Sequence, residues 1–169
     1  MHRTLIAICL ALAIDASHAE GFELKGIGLE ATRTDVQAAG GNCPTGKPYC
    51  VMLNTTLAGV KGSVMYSIVD DRVKAITATF DSHDYVALRD AVIAKYGAAG
   101  KTEDSTIENR MGAKFAQQEL FWTRGANLLR VKRFSGKITE GSVVIISESY
   151  LAQLVKQRAV DAQRNAKDL

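Results

Sequence analysis

Two cysteines, Cys43 and Cys50, are the residues whose type and spacing most clearly predict chemistry in this sequence. The six residues between them contain both prolines of the chain, and prolines favour a turn-rich loop over a helix or a central strand. Redox-active cysteines are usually separated by two residues, and a zinc site would need further ligands. We therefore expect a structural disulfide, whose closure of a loop of about eight residues contributes roughly 2.5 kcal/mol to stability in the chain-entropy model.

Side chains for acid–base or nucleophilic catalysis are sparse. Outside residues 1–19, His83 is the one histidine, and it follows Asp81 and Ser82 at a predicted helix start. Adjacent side chains on a helix do not face each other, so this run does not build a catalytic triad. Phosphate loops, dinucleotide fingerprints and two-histidine metal helices are missing from the sequence. We expect a protein that is not an enzyme, with no catalytic, cofactor-binding or metal site, although paired carboxylates leave glycoside cleavage open.

Basic residues in the second strand of a predicted hairpin are the candidate binding surface. Strand alternation places Arg130 and Lys132 on one face, and Leu129 and Val131 on the other. Arg124, near the hairpin turn, would extend the basic patch. We predict that these three basic residues bind a protein or an acidic component of the cell envelope, rather than nucleic acid. The alternative is a solvated sheet face, where lysine and arginine discourage pairing between sheet edges.

Residues 1–19 have the pattern of a cleaved secretory signal peptide. A positive start precedes the apolar run Leu5–Ile14, and Ser17–Ala19 places small residues three and one positions before a cut ahead of Glu20. A ten-residue apolar run is too short to cross ~30 Å of hydrocarbon as a helix. Cleavage would remove Cys9 and leave an even number of cysteines in an oxidising compartment. We therefore predict a periplasmic or secreted protein without a membrane span.

Length and composition indicate one globular domain over residues 20–169. The chain has 169 residues, of which 47% are hydrophobic and 23% charged, and these proportions exclude disorder and fibrous repeats. The net charge of +3 is well below the balance typical of nucleic-acid-binding proteins.

The pattern of apolar residues predicts an α+β fold in which antiparallel β-meanders carry helices packed on one face. The predicted strands are Phe22–Leu29, Val51–Leu57, Val64–Val69, Val73–Phe80, Thr106–Asn109, Phe115–Thr123, Leu128–Phe134 and Val143–Ile146. The last of these is uniformly apolar, so we expect it to be covered on both faces.

Three helices are predicted between and after these strands. A short one covers Val36–Ala39, and a longer one begins at Asp81 or Ser82 and ends at Gly97. A C-terminal helix begins after Ser147 or Ser149, and its residues 159–169 are expected to project or fray, because they are mostly alanine and charged residues. The order of elements suggests two similar halves, each a helix followed by a meander.

Short segments across the chain resemble small exported proteobacterial proteins of unknown function. The matching segments are Phe22–Leu29, Thr32–Val36, Leu88–Gly97, Asn109–Gly112 and Trp122. The order of helix and meander is similar to the small lipoprotein of the outer-membrane barrel-assembly machinery and to β-lactamase inhibitory protein. These resemblances imply binding or scaffolding and offer no catalytic residues to transfer, but the chain lacks the lipoprotein's anchoring cysteine after the signal peptide.

Two functions are compatible with these features. The first is a non-enzymatic exported protein that binds an envelope partner or assists envelope assembly. The alternative is an inhibitor or immunity-type protein that blocks a secreted enzyme. The two differ in the partner, because an inhibitor captures one enzyme and abolishes its activity.

Overall fold

A seven-stranded antiparallel sheet forms the centre of the α+β fold in the computed structural model, which describes residues 21–166. The predicted signal peptide therefore lies outside the described residues. In chain order the elements are β1 (Glu23–Leu24), β2 (Ile27–Gly28), α1 (Arg33–Ala38), β3 (Tyr49–Leu57), β4 (Val60–Val69), β5 (Arg72–Asp81), a 3-10 turn (Ser82–Asp84), α2 (Tyr85–Tyr96), β6 (Lys101–Glu108), β7 (Lys114–Arg124), β8 (Asn127–Lys132), β9 (Glu140–Ser147) and α3 (Glu148–Ala166).

Two meanders meet in the middle of this sheet. The strand order is β3-β4-β5-β9-β8-β7-β6, and each neighbouring pair is antiparallel. The first meander, β3 to β5, follows α1, and the second, β6 to β9, follows α2. The expected order of helix and meander is therefore present twice, with one strand more in the second half. The two halves join where β5 pairs with β9.

The hydrophobic core lies on one face of the sheet, which we call the helix side. Alternate residues of the strands point to this face, and the buried set includes Tyr66, Ile76, Leu129, Val131, Val143 and Ile145. Val36 of α1 and both Tyr85 and Leu88 of α2 belong to the same cluster of buried side chains. The prediction that helices pack on one face is confirmed for α1 and α2.

Aromatic contacts fix α2 against the N-terminal segment and the sheet. The Tyr96 ring meets the Phe22 ring edge to face, with 5.3 Å between ring centroids. The indole nitrogen of Trp122 donates a hydrogen bond to the Gly97 carbonyl at 2.9 Å, just where the helix ends. At the other end, the side chain of Asp81 caps the 3-10 turn that leads into α2.

The segment predicted as one strand over Phe22–Leu29 is a tight hairpin. β1 and β2 pair directly, and the two residues between them, Lys25 and Gly26, have φ angles of 56° and 75°. Two successive positive φ angles are the geometry of a two-residue hairpin turn, which glycine accepts without steric cost.

Cys43 and Cys50 form the expected disulfide, with their Cα atoms 4.1 Å apart. Cys50 is buried at the start of β3, and Cys43 is partly buried. The Arg33 guanidinium at the start of α1 donates a hydrogen bond to the Lys47 carbonyl at 2.8 Å inside the cross-linked loop. The loop is therefore held by both a covalent bond and a helix.

β6 differs from the sequence prediction, whereas β9 agrees with it. β6 begins at Lys101 rather than at Thr106, and its residues are almost all exposed. β9 is central in the sheet and is largely covered on both faces, as predicted: Val143 and Ile145 are buried on the helix side, and Ser142 and Ile146 are buried on the opposite face, where Val144 between them is half-buried. The side chains of neighbouring strands shield a strand at the centre of a sheet.

The C-terminal helix α3 projects from the domain. It begins where the Ser147 hydroxyl accepts a hydrogen bond from the Tyr150 amide, which confirms one of the two predicted caps. Tyr150 and Leu154 are half-buried, whereas Leu151 and Val155 are exposed. The helix continues to Ala166 without a break, and the fraying of residues 159–169 stays a prediction. Among the described residues, no helix is long and apolar enough to cross a membrane.

Candidate functional site

The face of the sheet opposite α1 and α2 is the candidate site, and we call it the open face. Arg130 and Lys132 point to it, while Leu129 and Val131 are buried on the helix side, which confirms the predicted alternation. Arg130 and Lys132 are partly exposed, with 38% and 27% of their side chains accessible. Ala75, Ser142 and Ile146 on this face are buried, whereas the accessible parts of Arg130 and Lys132 can meet a partner.

Glu119 of β7 lies between these two basic side chains. Its carboxylate is 2.8 Å from the Lys132 ammonium and 3.8 Å from the Arg130 guanidinium. Only 17% of the Glu119 side chain is accessible, so it is less exposed than either partner. The basic patch is therefore a network around a carboxylate, which the sequence prediction missed. The hairpin register could have revealed it, because Glu119 stands directly opposite Lys132.

The network continues onto β6. Lys101 pairs with Glu103 across 2.5 Å, and its ammonium also lies 5.8 Å from the centre of the Phe121 ring. Glu103 stands directly opposite Glu119, and like charges in that position repel each other. The neighbouring lysines and Arg130 offset that repulsion. Three cations and two carboxylates leave this part of the open face with a net charge of +1.

Arg124 does not belong to this patch, so its predicted role as an extension of the basic surface is wrong. Its guanidinium carbon lies 5.3 Å from the Phe22 ring centre and 5.1 Å from that of Tyr96. Both rings are on the helix side. The reason is the alternation along β7, where Arg124 shares a face with the buried residue Trp122.

The other half of the open face is more apolar. Met65 of β4 is 42% exposed. Its cross-strand neighbours Val51 and Thr77 are half-buried, as is Val144 of β9 opposite Thr77. The open face therefore has an apolar half on β3, β4, β5 and β9, and a charged half on β6, β7 and β8. Surfaces that combine apolar contact area with charged groups are typical of protein interfaces.

The residues Asp81, Ser82 and His83 form a local cap rather than a catalytic triad. One carboxylate oxygen of Asp81 accepts hydrogen bonds from the backbone amide of His83 at 2.9 Å and from its ring Nδ1 at 2.7 Å. These bonds hold the pKa of Asp81 below its usual value of 3.8. The Ser82 hydroxyl is buried and donates to the Ile138 carbonyl at 2.7 Å. The hydroxyl therefore points away from the imidazole that would have to activate it.

Adjacent carboxylates do not converge on a shared site. Asp70 and Asp71 form the β4–β5 turn with φ angles of 48° and 59°. Glu103 and Asp104 are successive residues of β6, so they point to opposite faces of the sheet. A metal site is equally unsupported, since no group of three or more histidine, cysteine or acidic side chains comes together within the described part of the chain.

Tyr85 links α2 to the charged end of the sheet on the helix side. Burial raises the pKa of its hydroxyl to about 12, so the hydroxyl stays protonated. It donates to the side-chain oxygen of Gln118 at 2.9 Å, and the Gln118 amide donates to Asp104 at 2.9 Å. This chain of hydrogen bonds holds β6 and β7 in place beneath the charged half of the open face.

Comparison of the chain with protein-family models, with curated proteins and with solved structures finds no match. The resemblance to exported proteobacterial proteins therefore stays an expectation, and the geometry of the open face is the basis for the proposed function.

Proposed function

We propose that the protein is a non-enzymatic exported binding protein, which docks an envelope partner on the open face of its sheet. The observation that carries the proposal is the accessible part of the open face, with the exposed side chain of Met65 in one half and an ion-pair network in the other. Contiguous apolar surface that stays exposed in a folded domain commonly marks an interaction site.

The disulfide supports the exported location. Such cross-links persist in oxidising compartments and are rare in the cytosol. The pattern of residues 1–19 supports the same location, and periplasmic or extracellular proteins are then the available partners. The charged half of the open face, with its net positive charge, favours an acidic partner through electrostatic steering.

Site-specific photo-crosslinking in envelope extract tests this proposal. We would place a photoreactive residue at Met65 on the open face and, as the matched control, at Val86 on α2, which is 53% exposed. The expected result is one dominant crosslinked partner from position 65 and none from position 86. Equal labelling from both positions would contradict docking on the open face. If the captured partner is an enzyme whose activity falls on binding, the protein is an inhibitor instead of an assembly accessory.

The charged half is tested by replacing Arg130 and Lys132 together with alanine. With the captured partner, we expect slower association and a weaker dependence of the rate on salt, because long-range attraction is reduced. The free energy of unfolding should fall by about 1 kcal/mol or less, since exposed ion pairs contribute little. Surface plasmon resonance at two salt concentrations gives the rates, and urea unfolding gives the stability. Unchanged association rates at both salt concentrations would show that Arg130 and Lys132 belong to a solvated sheet face and do not take part in binding.

A further inference from the structure

The two edges of the seven-stranded sheet are not alike. β6 forms one edge, and each of its eight residues has a partner on β7 without a register shift. Among residues 21–166, no strand pairs with its other side. A regular, exposed edge of this length presents backbone groups that another strand can pair with.

Hydrogen bonds on β6 and β7 show which of these backbone groups are free. The Asn109 amide donates to the Ala113 carbonyl, and the Arg133 amide donates to the Gln118 carbonyl. Along an antiparallel ladder, residue pairs that exchange hydrogen bonds alternate with pairs that do not. These two bonds therefore show that the odd-numbered residues of β7 bond to β6 and the even-numbered residues bond to β8. The amides of residues 101, 103, 105 and 107 consequently point to β7. The amides that point to the free edge are those of Thr102, Asp104, Thr106 and Glu108.

The opposite edge, β3, is closed to a further strand along much of its length. Asn42 and Val51 exchange two backbone hydrogen bonds of 2.8 Å on that side. A register shift follows between Met52 and Thr55, and Asn54 within it has a φ of 51°. Bridges and bulges of this kind prevent pairing at a sheet edge. β6 has neither, so the asymmetry is built into the fold.

The side chains of β6 indicate which strand could pair there. Lys101 is its single cation, against the three carboxylates of Glu103, Asp104 and Glu108, which gives the strand a net charge of −2. Two acidic strands side by side repel each other, so a second copy of β6 is a poor partner. A segment rich in lysine and arginine is complementary to this edge.

We propose that β6 receives an extended, basic segment of a partner protein, which adds to the sheet as a further strand. Main-chain hydrogen bonds to the four outward amides and their carbonyls would give the affinity, and the carboxylates would select positive charge. Glu103 borders both this edge and the open face, but the backbone groups of the edge are not part of the open face. Peptide binding at the edge can therefore fail while docking on the open face succeeds, and conversely.

Titration of the 15N-labelled protein with synthetic peptides tests the proposal. The probe is a peptide of about ten residues in which lysine alternates with valine or threonine, and an acidic peptide with glutamate in place of lysine is the control. On binding of the basic peptide, hydrogen exchange should slow at the amides of Thr102, Asp104, Thr106 and Glu108. Binding that leaves these four amides unprotected would overturn the proposal, as would equal affinity for the acidic peptide.

Methylated peptides separate strand addition from simple charge attraction. A basic peptide N-methylated at alternate amides keeps one free edge and should bind like the parent. A peptide methylated at adjacent central amides has no intact edge, and we expect its affinity to fall about tenfold or more, because several hydrogen bonds are lost. Both peptides carry the same charge, so equal binding would contradict the proposal.

Two variants complete the test from the side of the protein. Glu108→Gln, at a position that points away from the open face, should weaken binding of the basic peptide and reduce its salt dependence. Thr106→Pro removes one outward amide while leaving the bonds to β7 in place, and should also weaken binding. If Thr106→Pro unfolds the protein, the methylated peptides decide the question with the unaltered chain. Unchanged affinity in the glutamine variant would show that charge does not select the strand.

Discussion

Two arginines on either side of one hairpin turn, Arg124 and Arg130, have different physical roles. Arg124 lies over the rings of Phe22 and Tyr96 on the helix side, whereas Arg130 extends across the open face towards Glu119. An arginine over an aromatic ring contributes through charge and through packing of its stem. A partly exposed arginine paired at long distance contributes little to stability.

These roles predict unequal effects of alanine substitution. Arg124→Ala should lower the free energy of unfolding by about 1–2 kcal/mol, because two ring contacts are lost. Arg130→Ala should lower it by less than about 0.5 kcal/mol. Urea unfolding of both variants measures the difference. Equal losses would mean that the ring contacts of Arg124 do not stabilise the fold.

The first-turn carboxylate of α1 predicts a dependence of stability on pH. Asp35 accepts a hydrogen bond from the Thr32 amide at 2.7 Å and another from the Thr32 hydroxyl at 2.8 Å. Both bonds lower its pKa below the usual value of 3.8. A carboxyl with a lowered folded pKa stabilises the protein above its unfolded pKa, and this contribution is lost as the pH falls through the folded pKa.

Asp35→Asn should therefore make the free energy of unfolding depend less on pH in the acid range. We expect the variant to be less stable than the wild type at pH 7, and the difference to shrink as the pH falls from about 5 to about 2. Urea unfolding at several pH values measures both curves. A constant difference across this range would show that the cap does not depend on ionisation.

At the scale of elements, the cross-linked loop is a separable source of stability. It joins the end of α1 to the start of β3, and its backbone is also tied by the bridge between Asn42 and Val51. A disulfide limits the freedom of the unfolded chain, and the stabilisation grows only slowly with loop length.

Replacing Cys43 and Cys50 with serine should lower the free energy of unfolding by roughly 2.5 kcal/mol. The bridge and the Arg33 hydrogen bond should keep the loop folded, so circular dichroism should be unchanged. Thiol labelling of the denatured wild-type protein without reductant should find both cysteines unreactive. Two free thiols would mean that the disulfide does not form.

Most of α3 contacts solvent, so we expect its C-terminal end to contribute little to stability, in contrast to the disulfide. Removing residues 159–169 should change the free energy of unfolding by less than about 0.5 kcal/mol, whereas Leu154→Ala in the half-buried second turn should have a larger effect. Hydrogen exchange should be fastest beyond Arg158, as expected for a fraying end. Strong protection of these amides would show that the end of α3 is held by a partner.

How far the sequence could predict each element depends on what stabilises that element. α2 has an apolar stripe, and the 3-10 turn that leads into it is capped by Asp81, so its pattern is local. β6 has one apolar residue, Ile107, and no alternation; its pairing with β7 holds it in the sheet, and local pattern predicted only its end, from Thr106. In the same way, alternation placed Arg130 and Lys132 correctly, but the contact with Glu119 depends on the register between two strands.

At the scale of the whole molecule, the hydrophobic core and the proposed binding surfaces lie on different parts of the sheet. The helix side carries the core, and the open face and the β6 edge carry few of the fully buried side chains. Substitutions on the open face should therefore alter binding more than folding, which makes the crosslinking and charge experiments interpretable. The sequence could predict the α+β class and the meanders, because apolar alternation is repeated in strand after strand. It could not predict which face stays open, since that depends on where the helices return to the sheet.

The seam between β5 and β9 has a consequence for the synthesis of the protein. The first meander is complete at Asp81, but β9, which pairs with β5, begins only at Glu140. During synthesis, the inner edge of the first meander stays unpaired until nearly the whole chain has emerged. An unpaired edge next to apolar side chains is prone to wrong pairings. The last strand, β9, therefore protects the edge of β5 against wrong pairings. A chain cut short before β9 should aggregate instead of folding to a half-sized domain.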